Sequence, residues 1–337
     1  MKRSVSISDV AEHAGVSVGT VSNALNSPHL VSKRTLALVE AAIRELDYVR
    51  NGFARQLRLG KSPIVGMLVW TISNPFFADL AHATEIEAEK FGLNVLVASS
   101  DHSIARENRY LDMFELQKVR GLFVVPLGGI PEQLKRLHAR GTPIVLLGAD
   151  HPKEFSSVGL DGTKGGHIAA QHLIDLGRNR LAFVGGPISQ VVDRLTGASR
   201  AATEATGATL RIFDTPDMTA AAGQAVGRSI AALPEQDRPD GIVAANDLVA
   251  LGILQALTLT AHIRVPEDIA VVGYDDIDFA AASIVPLTSI RQPRDAIARE
   301  SLRMLLLQDE AESIAPAEHV LLVPELVVRE STRGVRG

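Results

Sequence analysis

Apolar residues recur at helical spacing over the first 48 positions, in three short bursts. Ser6 can cap the first, with Asp9 at its third helical position able to reach back, and Val10, Ala11 and Ala14 form one stripe. Gly15 follows where a left-handed turn residue is wanted. Ser17 can cap a second helix, 18–25, whose inner face is Val21, Ala24 and Leu25. After the Asn26-Ser27-Pro28 turn, Ser32 can cap a third helix carrying Val39, Ile43 and Leu46. Two short helices joined by a tight glycine turn form a helix-turn-helix, the kind of unit whose second helix enters the DNA major groove.

Residues 49–62 read differently. Asn51 can cap a short helix, 52–59, and Gly60 can end it. A helix of under three turns is marginal alone, so this segment is expected to fold only with DNA and a partner chain.

From Pro63 the pattern becomes short β-branched runs separated by amphipathic stretches. The runs are 64–69, 93–97, 121–125 and 144–147, with helix-length segments such as 76–91 and 106–118 between them. The alternation restarts at 181–184, 241–244 and 269–273. Strands alternating with helices imply parallel sheets with crossover helices. Two such halves predict an α/β core of two doubly wound lobes, with a cleft at the carboxyl ends of their strands.

Composition agrees with this division. Across 337 residues, 46% hydrophobic and 22% charged is an ordinary globular balance, enough for about two domains. Residues 1–62 hold nine Lys/Arg against five Asp/Glu, net +4, while the remainder holds 25 against 34, net −9. A basic head on an acidic body suits a nucleic-acid-binding module joined to something else. The absence of cysteine excludes a disulfide framework, a thiolate zinc site and a cysteine nucleophile. The start, Met1-Lys2-Arg3-Ser4-Val5-Ser6, meets Asp9 and Glu12 before any apolar stretch of signal-peptide length, and no uncharged apolar run reaches the roughly 18 residues of a membrane span. A cytoplasmic protein with no membrane partner is expected.

The literal residues go further. Asp9-Val10-Ala11-Glu12-His13-Ala14-Gly15-Val16-Ser17, Thr20-Val21-Ser22-Asn23, Val31-Ser32, Val39-Glu40-Ala41-Ala42, Glu45-Leu46-Asp47-Tyr48, Asn51 and Ala54-Arg55-Gln56-Leu57 resemble the headpiece of the lactose-repressor/galactose-repressor family of bacterial transcription regulators. Ile72-Ser73-Asn74-Pro75-Phe76-Phe77, Asp161-Gly162, Phe183-Val184-Gly185-Gly186-Pro187, Ala245-Asn246-Asp247 and Val272-Gly273-Tyr274-Asp275-Asp276 resemble its core, which is shared with periplasmic sugar-binding proteins. The resemblance covers essentially the whole chain.

What it implies is a headpiece at 1–48, a hinge helix at 49–62 and an effector-binding core at 63–337. The amino-terminal lobe would be 63–161 plus 292–320, and the other 162–291 plus 321–330, ending in one strand at 320–329. Family members read bases with the first, second and sixth residues of the recognition helix, here Val18, Gly19 and Asn23. Val18 can touch a thymine methyl and Asn23 can bond a base edge, whereas Gly19 offers only backbone. Thr20, Ser22, Asn26 and Tyr48 suit phosphates, although Thr20 and Ser22 on a solvated face is the plainer reading. Leu57 takes the place of a leucine that wedges into the minor groove, with Ala54 and Arg58 beside it; an interdomain packing contact is the alternative. Arg50 stands where relatives often have proline, which implies a looser link to the hinge.

In the cleft the resemblance implies Ser73, Asn74, Phe76 and Phe77 from the first lobe, and Asp161, Arg194, Asn246, Asp275 and Gln292 opposite. Carboxylates, amides and an arginine fork suit the vicinal hydroxyls of a sugar or related polyol. A single Asp at a strand end is more often a helix cap; several together favour a ligand. Met218 stands about where some relatives carry an aromatic and Ala198 replaces the aromatic after Gly197, which implies either a wider pocket or a less ring-like ligand.

Other chemistry is unsupported. Gly128-Gly129 and Gly185-Gly186 form no GxGxxG fingerprint, His167 and His172 lack metal-ligand spacing, and no nucleophile–base–orienter set is present. No cofactor, metal or enzymatic activity is expected. A solute-binding protein of a transport system is the alternative, favoured by the core and opposed by the helix-turn-helix and the missing signal peptide. The expected protein is a homodimeric repressor on a pseudo-palindromic operator, since no heptad tail follows the last strand.

Overall fold

A computed structural model describes residues 5–48, 62–148, 154–187, 191–311 and 316–333, apart from the side chain of Asn26. The hinge expectations, including Arg50, Asn51, Ala54, Leu57 and Arg58, lie outside these residues. The chain forms two units, Met1–Ser62 and Pro63–Gly337.

The first unit contains α1 (Ile7–His13), α2 (Val18–Asn26) and α3 (Lys33–Glu45), each opened by a serine. The Ser6 hydroxyl accepts from the Asp9 N–H at 3.3 Å while the Asp9 carboxylate accepts from the Ser6 N–H at 2.7 Å. Ser17 and Ser32 accept from the N–H groups of Thr20 and Thr35 at 3.1 and 3.2 Å. Each such cap contributes about 1 kcal/mol. Val10, Ala11, Val21, Ala24, Val39 and Ala42 close a small core. Gly15 sits at φ +64°, where a side chain would be strained.

The second unit holds two six-stranded sheets. The first runs β11-β5-β4-β3-β1-β2, from strands β1 (Ile64–Val69), β2 (Asn94–Ser99), β3 (Leu122–Val124), β4 (Ile144–Leu147), β5 (Ser156–Leu160) and β11 (His319–Leu322), with every pair parallel. The second runs β12-β10-β9-β8-β6-β7, from β6 (Arg180–Val184), β7 (Thr209–Phe213), β8 (Gly241–Ala244), β9 (Ala270–Asp275), β10 (Thr288–Arg291) and β12 (Glu325–Val327). Helices α4 (Pro75–Glu89), α5 (Ile104–Leu116), α6 (Glu132–Ala139) and α12 (Arg294–Glu310) serve the first lobe. Helices α7 (Gly162–Asp175), α8 (Val192–Glu204), α9 (Ala220–Ala231), α10 (Asp247–Gln255), α11 (Asp278–Ala282) and α13 (Glu330–Arg333) serve the second.

Two expectations need correction. The single strand at 320–329 is two strands, because Pro324 has no N–H to give a ladder and the chain changes sheets there. The second sheet is also not wholly parallel, since β12 pairs antiparallel with β10. The short link explains this: β11 ends at the carboxyl edge of its sheet, so β12 enters the other sheet from the same edge and must run backwards. The remaining crossings, after Leu160 and after Arg291, also leave from carboxyl edges. All three therefore border the cleft. Strands β5, β7 and β10 carried no apolar run to announce them; in β10 the buried Thr288 and Ser289 are held instead by hydroxyl bonds.

The tightest helix pair is α7 on α8. A Cβ at Gly197 would lie 1.8 Å from the Thr163 carbonyl oxygen, and one at Gly166 1.9 Å from that of Arg194. Overpacking of this kind typically costs about 1–3 kcal/mol. Gly197→Ala should therefore lower the urea midpoint markedly, whereas Gly129→Ala, where a Cβ meets nothing within 4 Å, should not. Equal midpoints for the two variants would mean the helix contact is looser than described.

Candidate functional site

The cleft chemistry is organised around Asp275, the last residue of β9, which is 3% exposed. Its Oδ2 accepts from Asn74 Nδ2 at 3.2 Å, reaching from the cap of α4 in the other lobe. Its Oδ1 accepts from Gln292 Nε2 at 2.5 Å, at the crossing after β10. Burial pushes this carboxyl up, against the opposing pull of Arg194, Asn74, Gln292 and Arg294. Asp275 and Asp276 have φ of 110° and 54°, a left-handed pair that side chains rarely adopt. Residues held this way store of order 1–3 kcal/mol each and concentrate at functional sites.

Behind them, the neighbouring bonds hold this turn. Asp276 accepts from Arg291 Nε at 2.7 Å and pairs with Arg329 at 2.7 Å. Its N–H donates to Ser289 Oγ, which in turn donates to Asp247 Oδ1 at 2.6 Å. The other Asp247 oxygen accepts from the Ile277 N–H at 2.9 Å. Asp247 is 1% exposed, and burial, reinforced by the charge of Asp275, pushes its carboxyl well above the usual range.

Tyr274 provides the second focus. The Arg194 guanidinium lies 3.8 Å from its ring centroid and also donates to the Ala245 carbonyl. Burial pushes the Tyr274 hydroxyl up to about 12, with the charges of Arg194, Asp275 and Asp161 all acting on it. Gly165 gives that ring room, since a Cβ there would meet the hydroxyl at 2.6 Å. Of the three charged groups, Arg194 stacks on the ring.

In the headpiece, Val18 is 44% exposed, Gly19 and Asn23 are exposed, and a Cβ at Gly19 would meet only Ser17 Oγ at 3.6 Å. This end of α2 offers one apolar contact, one amide and a bare stretch of backbone.

Residues 6–51 match the bacterial regulatory proteins of the lacI family, and residues 170–332 the periplasmic binding protein-like domain. The transcriptional repressor PurR of Aliivibrio fischeri is 33% identical over 337 residues, covering 96% of this chain and 97% of that one. The ribose operon repressor of Escherichia coli K12 is 33% identical over 305 residues, covering 88% and 91%. The chain belongs to the LacI family. The lac repressor dimer bound to operator and the anti-inducer ONPF superposes with a TM-score of 0.82 at 28% identity, covering 98% and 99% of the two chains. The CelR–cellobiose complex gives 0.70 at 30% identity, covering 97% and 99%. The protein is accordingly a DNA-binding transcription regulator of this family, not an enzyme. Among the described residues no helix is long and apolar enough to cross a membrane, and no group of His, Cys, Asp and Glu could hold a metal ion.

Within this family frame the expected residues divide. Asn74, Asp275 and Gln292 meet in one bonded set, and the charge of Arg194, stacked on the neighbouring Tyr274, acts on Asp275. Asp161 caps α7, accepting from the Lys164 N–H at 2.8 Å. Asn246 is 2% exposed and already engaged, accepting from the Val249 N–H at 2.9 Å and donating to the Met218 carbonyl at 3.1 Å. In this conformation Asn246 holds the start of α10 instead of presenting a free amide. Phe76 and Phe77 are largely buried, and Ser73 is exposed. Ala198 is fully buried in the second lobe's core, so it does not widen the cleft. Ser22 is 5% exposed, against the expected open face, while Thr20 shares a hydroxyl contact with Ser17 at 2.9 Å and Tyr48 packs on the headpiece core.

Three residues were not foreseen: Trp70, Tyr274 and Arg294. Trp70 follows β1 directly, lies edge-on to Phe77 at 6.1 Å and donates to the Pro126 carbonyl at 3.0 Å. A lone tryptophan at the end of a strand was the available signal. Arg294 pairs with Asp79 and acts on Asp275, which only the fold reveals.

A raised native pKa at Asp247 gives a definite sign. The native state favours its proton, so this contribution is full at acid pH and is lost as pH rises through the folded titration range. Asp247→Asn removes the titration while keeping an acceptor for Ile277. Measured by urea midpoints from about pH 4 to about pH 8, the variant should gain on the parent steadily as pH rises. A constant difference would show that Asp247 titrates alike in folded and unfolded chains.

Proposed function

We propose that the chain is a homodimeric repressor in the cytoplasm that reads a pseudo-palindromic operator with paired headpieces and is controlled by a small sugar or related polyol between its lobes. The observation that carries the effector reading is the Asp275 clasp, a buried carboxylate bonded to Asn74 of the opposite lobe. A polyol hydroxyl can replace either amide on that carboxylate while Arg194 donates to its neighbour. The relatives' names, a ribose operon repressor and a CelR–cellobiose complex, support a sugar class. Exposed Ile86, Phe91 and Leu96, beside edge strand β2, and exposed Phe279 and Ile284 in the second lobe support a second copy as partner.

The headpiece reading assigns Val18, Gly19 and Asn23 to bases and Thr20, Asn26 and Tyr48 to phosphates. Ser22, being buried, is better suited to packing the headpiece. The hinge assigns Ala54, Leu57 and Arg58 to the minor groove, with Leu57 as the wedge.

Two measurements test this. A thermal-shift screen of pentoses, hexoses and their phosphates should identify an effector, because a ligand at about 100 times its Kd stabilises by about 2.7 kcal/mol. Loss of a charge-assisted bond worth about 1.5–3 kcal/mol means that Arg194→Ala binds that effector at least about tenfold more weakly, with effector-free operator binding nearly intact. Undiminished effector affinity in both Arg194→Ala and Asp275→Ala would refute the cleft assignment.

For DNA, Leu57→Ala should weaken specific operator binding by about 1–3 kcal/mol, comparable to losing a good base contact. Because phosphate contacts persist, the slope of log affinity against log salt should stay nearly the same. Normal affinity and normal DNA bending in the variant would remove Leu57 from this role.

A further inference from the structure

A second cavity, of about 380 Å3, opens on the first lobe between the N-terminal turns of α5 and α6 and the loop after β3. It shares no lining residue with the Asp275 clasp. Its floor is Glu107, 2% exposed, whose Oε1 accepts from the Leu127 N–H at 3.1 Å. Among the described residues no donor reaches the other oxygen. Burial accordingly pushes this carboxyl up, with the single N–H only partly offsetting it. The second Glu107 oxygen is not a buried atom left without a partner, so it opens on the cavity, where a bound donor would make a charge-assisted bond.

The rim adds direction. Asn108 is exposed and its amide makes no hydrogen bond among the described residues. Arg136 is exposed with its charge acting on Glu132, which is itself paired with Lys135 at 2.7 Å. The lining therefore carries two carboxylates and one guanidinium, with the carboxylates already occupying the first turns of both helices. A cationic donor suits the floor, and an anionic tail suits the rim.

We propose that this cavity binds a compact molecule bearing a primary ammonium group, the ammonium on Glu107 and any carboxylate tail toward Arg136. Small amines and amino acids share that chemistry, and the arms of the test distinguish them. The site also has a route to the cleft wall: Leu127 follows Pro126, whose carbonyl accepts from Trp70. Trp70 is the chain's single tryptophan, so its emission reports on ligands that disturb the loop.

The experiment titrates the full chain with glycine, alanine, serine and ethanolamine, with propionate and N-acetylglycine as controls lacking the ammonium, reading Trp70 emission and melting temperature. Ammonium-bearing probes should give saturable changes at concentrations up to about 20 mM and the controls none. Glu107→Gln, which keeps an acceptor for Leu127, should bind at least about tenfold more weakly. Asn108→Phe, at an exposed rim position, should block entry without touching the floor. Arg136→Ala should weaken amino acids and spare ethanolamine. Arg194→Ala should change none of these titrations, which separates this site from the cleft. The proposal is overturned if no ammonium probe alters emission or melting, if binding survives both Glu107→Gln and Asn108→Phe, or if Arg194→Ala abolishes it.

Discussion

Asp275 is 3% exposed, and a carboxylate taken that far from water costs several kcal/mol unless donors and cations surround it. Its partners come from separate parts of the chain: Asn74 from the cap of a first-lobe helix, Gln292 from a crossing strand, Arg194 from α8. Each must be delivered by its own stretch of fold. The backbone at Asp275 and Asp276 is left-handed, and Asp247, Ser289, Arg291 and Arg329 hold this turn. The two lobes are joined by three crossings and share one buried apolar cluster. The carboxylate at Asp275, bonded to Asn74 of the other lobe, adds a directional polar constraint to that apolar contact.

The approach of α7 to α8 serves the same end. Gly166 meets the carbonyl of Arg194 itself, so the backbone that bears this guanidinium is pressed against a helix with no side chain in between. The guanidinium then has a short path to the Tyr274 ring, which fits only because Gly165 is also bare. The small residues are thus part of the chemistry at one remove. They set where a charged group stands.

Much of this was legible from residue order, and the limits have physical causes. Caps at Ser6, Ser17 and Ser32 act over three residues, so local spacing announces them. Interior parallel strands such as β1 and β4 are buried on both faces and appear as apolar runs. Strand β10 is as buried but satisfies itself with hydroxyls, and edge strand β7 has exposed positions, so neither shows a run. In the site, Asp275 was legible as a strand-end carboxylate. Whether an Asp or Asn there faces a ligand or a helix end depends on where the next N–H groups point, and no local pattern carries that. Asp161 and Asn246 are caps by that test, and Ser22 turned inward on a helix whose neighbour decides its outer face.

If the proposed effector binds at the clasp, the bonds already there constrain how it would act. Each Asp275 oxygen already accepts one amide, so an entering hydroxyl exchanges one bond for another and gains little net free energy at that residue. Affinity would then come mainly from surfaces that close over the ligand, for which the Arg194 guanidinium stacked on Tyr274 and the aromatic pair Trp70 and Phe77 of the first lobe are candidates. Exchange of the Asn74 bond in particular would remove a polar contact between the lobes, leaving their shared apolar cluster in place. A ligand that takes it while bridging the lobes itself restores the tie in a new geometry; one that takes it without bridging loosens the pair. Those two cases favour different lobe arrangements, and only that difference in free energy can reach the operator. Under the proposed function, the direction of control would be set by whether the effector spans from Asp275 to the first lobe, not by how tightly it binds.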